Sequence, residues 1–292
     1  MARASVSAWR WTFQPWSGGP WLDHTYVGQG PGAGNNPPAD YFGCWAQGFY
    51  ETQYPSAPVV SGNINYNCAN CYRDTILSYH DTAGIGIYGV NGVCHQSANC
   101  FLFSAGPWAV TLNFSVLGYW ASLLAYGTYG TNFPWWLAAV YEWCSWWNPA
   151  IAPEMPQAAA AAAEPPVVGE LRDLYASFLA QPKPPDSHDV IIKEAETVVR
   201  HHIPGFDPSV YRDLHKGFLS EKDAAIATGA TGKALADKLN DLSKQLQLAV
   251  ADRVGPEHYK KLNGVDAGQT AYLCDPRLEA AVGVPVPPFK HG

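Results

Sequence analysis

The stretch Gly89-Val90-Asn91-Gly92-Val93-Cys94-His95-Gln96-Ser97-Ala98-Asn99-Cys100 decides how this chain is read. Ile85-Gly86-Ile87-Tyr88 precedes it as a short strand-like run, and the residues after Cys94 continue as a helix through Phe101-Leu102-Phe103. The pattern is strand, glycine-rich turn, then a cysteine at a helix start. A thiol in the first turn of a helix has its thiolate favoured by unpaired backbone N–H groups and by the positive end of the helix dipole. Gly92 permits a tight approach, and the amide of Cys94 with a neighbouring donor would face an oxyanion formed by attack on a carbonyl. The same stretch equally fits a buried structural cysteine in a helix cap.

A nucleophilic thiol needs a base within hydrogen-bond reach. His95 is adjacent in sequence and is expected to point away from Cys94 on a helix. His24 opens the apolar run His24-Thr25-Tyr26-Val27, so a strand can present it at a site edge with Tyr26 on the same side. It reads as the base, or as an ordinary histidine near a strand end. His80, in Tyr79-His80-Asp81, is a second candidate, with a loop position as its alternative.

The succession DHTYV, then YFGCW over 41–45, then NGVCHQSAN resembles the circularly permuted branch of the NlpC-type, papain-like thiol hydrolases, in which the base histidine precedes the nucleophilic cysteine. The resemblance spans roughly residues 20–106 and implies Cys94 as nucleophile with His24 as base. It does not place the third, polar residue that usually orients the histidine. Gly43-Cys44-Trp45-Ala46 is similar to the Gly-x-Cys-Trp-Ala surroundings of the nucleophile in papain-like enzymes. That second arrangement implies Cys44 as nucleophile, His95 as base and Asn113 or Asn148 as the orienting residue. Its cysteine-then-histidine order also resembles toxin-like deamidases acting on protein side-chain amides. The run AQGFYETQYP after Cys44 makes a poor helix.

Metal binding competes for the same residues. Cys68-Ala69-Asn70-Cys71 is a C-x-x-C pair, and with two of Cys94, His95 and Cys100 it would supply a Cys₃His or Cys₄ zinc site in a non-enzymatic binding module. Cys94 and Cys100 do not form a second C-x-x-C, so one half of that site has the wrong spacing. Cys68 and Cys71 also read as thiols of a surface loop. The hydrolase reading itself needs no metal or cofactor.

Composition divides the chain. All 12 tryptophans lie between Trp9 and Trp147, lysine is absent before Lys183, and most of the charge follows residue 150. The net charge of −7, with no Lys or Arg between Arg73 and Arg172, argues against a phosphate-backbone partner. Met1–Val27 lacks the uninterrupted apolar run of a signal peptide, which implies a cytoplasmic protein or one secreted by a leaderless dedicated system. Seven cysteines leave at least one unpaired in a monomer, and without an export signal they read as thiols or ligands. Phe101–Tyr141 carries no formal charge, and Trp108–Tyr126 is long enough to cross a bilayer. Asn113, Ser115, Gly118 and Ser122 inside that run, with no flanking Lys or Arg, favour a buried aromatic core instead of a membrane-associated protein. Trp135, Trp136, Trp143, Trp146 and Trp147 read as core, with a carbohydrate or lipid groove as the alternative.

Residues 151–168, with six consecutive alanines between prolines, read as a linker. Beyond it, helices are expected over 169–181, 189–202 and 220–254, with a short one after Gly255-Pro256 ending at Gly264. Ser220 is a candidate cap for the long one, Leu235, Leu239, Leu242, Leu246 and Val250 form its apolar stripe, and Gly229 and Gly232 can split it. His201, His202 and His215 lack ligand-spaced partners and read as surface residues. The expectation is an α+β chain: a papain-like domain over 1–150 with an aromatic-rich core, and an α-helical domain over 169–292. The expected activity is cysteine-dependent attack on an amide of a peptide, a peptidoglycan stem or a protein side chain.

Overall fold

The computed structural model describes residues 4–29, 41–42, 58–64, 87–105, 119–131, 166–183 and 185–285. Its elements are a four-stranded antiparallel sheet and a set of helices, an α+β arrangement. The strands are β1 (Ala4–Phe13), β2 (Leu22–Gln29), β3 (Tyr41–Phe42) and β4 (Pro58–Ile64), in the order β3-β2-β1-β4. β1 is central and pairs with β2 in a register that sets Trp11 opposite His24 and Phe13 opposite Leu22. A shift at Ala8/Trp9 separates the two halves of the β1–β4 ladder. In β2 the consecutive residues Leu22, Asp23, His24 and Thr25 are all buried, so this strand is covered on both faces at its N-terminal end.

α1 (Cys94–Ala105) packs on β2. The expected strand over Ile85–Tyr88 is not one where it is described: Tyr88 makes only a single bridge to Gly92, and Gly89 N–H donates to Gly92 O at 2.8 Å. A tight turn takes its place, with Gly89 at φ +77°. α2 (Tyr119–Tyr126) is buried on every side. It is the described part of the Trp108–Tyr126 run, and among the described residues no helix is long and apolar enough to cross a membrane. An all-round apolar helix is a core helix when its length is eight residues.

The remaining helices are α3 (Pro166–Leu179), α4 (Ser187–His202), α5 (Arg212–Ala227), α6 (Gly232–Val254) and α7 (Pro256–Asn263). α3 starts earlier than its apolar spacing suggested: Val167 and Val168, counted in the linker, are helical and buried. Asp186 caps α4 by accepting from His188 N–H at 2.7 Å. The long helix expected over 220–254 is two helices. Gly229 (φ +74°) and Gly232 (φ +64°) turn the chain between α5 and α6, and Ser220 lies within α5 instead of capping it. The α6 stripe of Leu235, Leu239, Leu242, Leu246 and Val250 is buried as the spacing requires.

These helices share a core with the cysteine-bearing segment. Cys94, Tyr119, Leu123, Ile191, Leu219, Leu239 and Val282 belong to one contiguous apolar cluster. Polar contacts run the same way: the C-terminal stretch brackets Trp21, which donates to Thr270 O at 2.8 Å while accepting from Tyr272 N–H at 2.7 Å. Gly283 N–H donates to Tyr88 O at 2.8 Å, and Asp275 N–H to the Tyr88 hydroxyl at 2.9 Å. The segments entering the site at Asp23 and at Cys94 are therefore both held by residues after 269.

Candidate functional site

The start of α1 is built by Gln96. Its Oε1 accepts the Val93 N–H at 3.0 Å, three residues back, the geometry by which a side chain at the third helical position satisfies an amide at the cap. Ser97 N–H donates to Val93 O at 3.1 Å and begins the helical ladder. The N–H groups of Cys94, His95 and Gln96 precede that bond and have no acceptor within the helix. Gly92 is required beside them, since a Cβ there would lie 2.8 Å from Gln96 Cβ.

His95 does not point away from Cys94. Its Nδ1 lies 3.6 Å from Cys94 Sγ, and its Nε2 lies 2.9 Å from Asp23 Oδ2. Side chains at a helix start lean back past the N-terminus, so two neighbours separated by about 100° of rotation can converge there although they would diverge further along. Asp23 and His24, which alternate on β2, divide between the two: Asp23 takes His95, and His24 hydrogen-bonds the Cys94 sulfur. The Asp23 carbonyl oxygen is a further neighbour of that sulfur at 3.8 Å. Tyr119 meets the His95 ring edge-on at 5.2 Å between centroids, fixing the imidazole plane from the side of α2.

All four side chains are shut away from water, Cys94 at 4% exposure and His95 at 2%. Burial on its own pushes the Cys94 thiol up. The positive charge of His95, with the hydrogen bond and charge of His24 and the hydrogen bond of His95, outweighs that and lowers the thiol to about 6. For His95, burial opposes the charged form, but the Cys94 thiolate and then the Asp23 carboxylate outweigh it and raise the imidazole to about 9. The pair accordingly favours thiolate and imidazolium together, titrating as one unit. Such an arrangement can supply an activated sulfur nucleophile, a proton carrier in contact with it, and a carboxylate orienting that carrier.

No protein-family model matches this chain, and neither curated proteins nor solved structures provide a match. The site is thus characterised by its own geometry. Of the residues proposed from sequence, the structure brings together Cys94, His24 and His95. Cys44, His80, Asn113, Asn148, Cys68, Cys71 and the tryptophans from Trp135 to Trp147 lie outside the described residues. Cys100 points elsewhere, its thiol donating to Tyr129 O at 2.9 Å. Among the described residues no group of three or more His, Cys, Asp or Glu side chains is arranged to hold a metal ion.

Asp23 was missed although it stands next to His24. Strand alternation argues that neighbours serve opposite faces, and nothing local shows that both faces of β2 meet one helix end. His215, expected at the surface, is buried and lies with its Nε2 2.7 Å from Leu124 O, while Lys222 Nζ donates to Ala125 O at 3.0 Å. They serve the carbonyl end of α2, where donors and positive charge are favoured. His201 pairs with Glu170 at 2.5 Å, and His202 Nδ1 lies 2.9 Å from Val198 O.

Proposed function

We propose that this chain is a cysteine-dependent hydrolase of amide bonds, with Cys94 as nucleophile. The observation that carries the reading is the continuous line Cys94 Sγ, His95 Nδ1 at 3.6 Å, and His95 Nε2 with Asp23 Oδ2 at 2.9 Å. A buried thiol with no catalytic task needs neither an imidazole nor a carboxylate behind it, because uncharged burial is the lower-cost arrangement. A helix start packed on an antiparallel strand supports the papain-like reading, but the imidazole backed by a carboxylate is His95, which follows Cys94, so His24 is the second donor to sulfur and not the base that the permuted order gives it.

In this mechanism the thiol proton resides on His95 Nδ1, and Asp23 holds Nε2–H so that Nδ1 faces sulfur. The thiolate attacks the carbonyl carbon, and the oxygen takes up the negative charge among the N–H groups of the first turn of α1, which have no acceptor within the helix. The C–N bond breaks as His95 returns its proton to the leaving amine, leaving a thioester on Cys94. Water then attacks that thioester, giving its proton to His95, and the acid is released with the thiol regenerated. His24 is the second donor to sulfur and steadies the thiolate between turnovers. The substrate classes that fit are a peptide, a peptidoglycan stem peptide or a protein side-chain amide.

The test is peptide mapping by mass spectrometry after brief exposure of the native chain to limiting iodoacetamide near neutral pH, with metal content measured on the same sample. Selective alkylation of Cys94 in metal-free protein, reduced in His95→Asn, is the expected result. Uniform labelling of all thiols, or about one zinc per chain with Cys94 protected, overturns the hydrolase in favour of a structural metal module.

A further inference from the structure

Three consecutive carbonyls that follow α2 are bound by side chains of α1. Gly127 O accepts from Gln96 Nε2 at 2.7 Å, Thr128 O from Asn99 Nδ2 at 2.8 Å, and Tyr129 O from Cys100 Sγ at 2.9 Å. The loop is locked further on, where Thr131 N–H donates to Asn91 O at 2.9 Å. The amide joining Gly127 to Thr128 is gripped at both ends. Its C=O accepts from Gln96, and its N–H donates to Glu194 Oε2 of α4 at 2.9 Å. Gln96 in turn accepts the N–H of Val93, the residue immediately before Cys94, at 3.0 Å. One unbroken file of hydrogen bonds therefore runs from a carboxylate on α4 to the residue that sets the nucleophile.

The file is built tightly. Gly127 has φ +71°, and a Cβ there would fall 2.5 Å from Glu194 Oε2, so a residue with a side chain would hold the carboxylate off this amide. Glu194 is wholly buried. Tyr175 of α3 hydrogen-bonds it, Tyr119 of α2 and Tyr129 of the loop feel its charge, and Arg172 of α3 acts on Tyr129. Burial pushes its carboxyl up to about 7, against the hydrogen bonds from Tyr175 and Thr128 that favour the charged form. Hydrogen bonds to an ionised acceptor are stronger than those to a neutral one, and bonds in a file polarise one another.

We propose that Glu194 is a positioning residue for the Cys94 site, acting through the Gly127–Thr128 amide and Gln96 to hold the first turn of α1. This makes α4 part of the reactive centre without touching it. The inference rests on Cys94 being the reactive thiol, but the relay is measured separately from that reactivity.

The experiment compares amide hydrogen exchange at Val93 and Thr128 in the full chain, by NMR, for wild type, Glu194→Gln, Glu194→Ala and Gln96→Ala, alongside the pH profile of Cys94 alkylation. In Glu194→Ala both amides should exchange faster by about tenfold, the order expected for loss of one buried hydrogen bond. Gln96→Ala should accelerate Val93 in the same way. Glu194→Gln keeps a carbonyl acceptor, so it should restore slow exchange at Thr128 and remove the step near pH 7 expected of wild type in both exchange and alkylation. If Val93 exchange in Glu194→Ala equals wild type, the relay is wrong. Should Glu194→Ala fail to fold, identical pH profiles for wild type and Glu194→Gln overturn it instead. A wild-type Cys94 that resists alkylation would remove the hydrolase reading, while the exchange data still decide the relay.

Discussion

His95 Nε2 stands 2.9 Å from Asp23 Oδ2, a pairing of two buried side chains that lie 72 residues apart in the chain. Because Nε2 is committed to the carboxylate, Nδ1 is the nitrogen left to face Cys94, and the thiol acquires a proton acceptor of defined direction. After the Cys94 thiolate, that contact is what favours the charged imidazole against its burial.

Removing the carboxylate charge should weaken the ion pair without dismantling it. Asp23→Asn is expected to move the midpoint of Cys94 alkylation upward, because the carboxylate favours the imidazolium that in turn holds the thiolate. His95→Asn should move it further, toward the range of an ordinary thiol. Iodoacetamide rates as a function of pH read both, and a midpoint unchanged in either variant would remove the pairing from the mechanism.

In wild type the thiolate–imidazolium pair is favoured between about pH 6 and about pH 9. Below the lower limit the sulfur is protonated, and above the upper one His95 has lost the proton that the proposed mechanism has it deliver. Thiolate reactivity should therefore rise through pH 6, whereas amide turnover should also fall through pH 9. A single rising limb for turnover would mean that His95 is not the acid.

Because Cys94 is only 4% exposed, probe size should matter. Iodoacetamide is expected to react faster than a bulky maleimide by about tenfold or more, relative to the ratio for a free thiol, since the larger probe must wait for local opening. Equal relative rates would place the sulfur at an open surface.

The backbone of the 127–131 loop admits little change. Gly130→Ala would set a Cβ 2.6 Å from Asn91 O at φ +98°, and Gly127→Ala meets Glu194. Each should cost more than about 2 kcal/mol, from strain plus displaced neighbours, whereas Gly229→Ala at φ +74° in open space should cost only about 1. Thermal unfolding of the three variants gives the order directly.

His215 titrates within the shared core. Its imidazole is lowered from 6.5 to about 4, burial being the main cause, so the neutral form is the one the fold accommodates. Its contribution to stability is present above about pH 6.5 and is lost as pH falls toward 4. His215→Gln should flatten the stability profile over that window, and a slope unchanged between pH 6.5 and 4 would contradict the assignment. The cluster joining Cys94 to Leu239 and Val282 leads us to expect one cooperative unfolding transition for the described core, reported alike by the α1 and α6 regions.

Local chemistry in the sequence determined a good deal. Apolar spacing and proline or glycine stops placed α3, α4 and α7 to within a few residues, and gave the end and the buried stripe of α6 though not its start, because helix periodicity and termination are properties of the segment itself. The turn before Cys94, with its glycines, likewise announced a thiol at a helix start. Tertiary structure decided the rest. His95 reaches Cys94 only because side chains lean back at a helix N-terminus, and Asp23 joins it only because β2 is covered on both faces. Glu194 sits 100 residues beyond Cys94 and meets its helix through a single peptide unit, a contact no spacing rule contains. Periodicity records which side of an element is buried. It carries no information about which distant element is buried against it, and the chemistry of this site lies in those long-range choices.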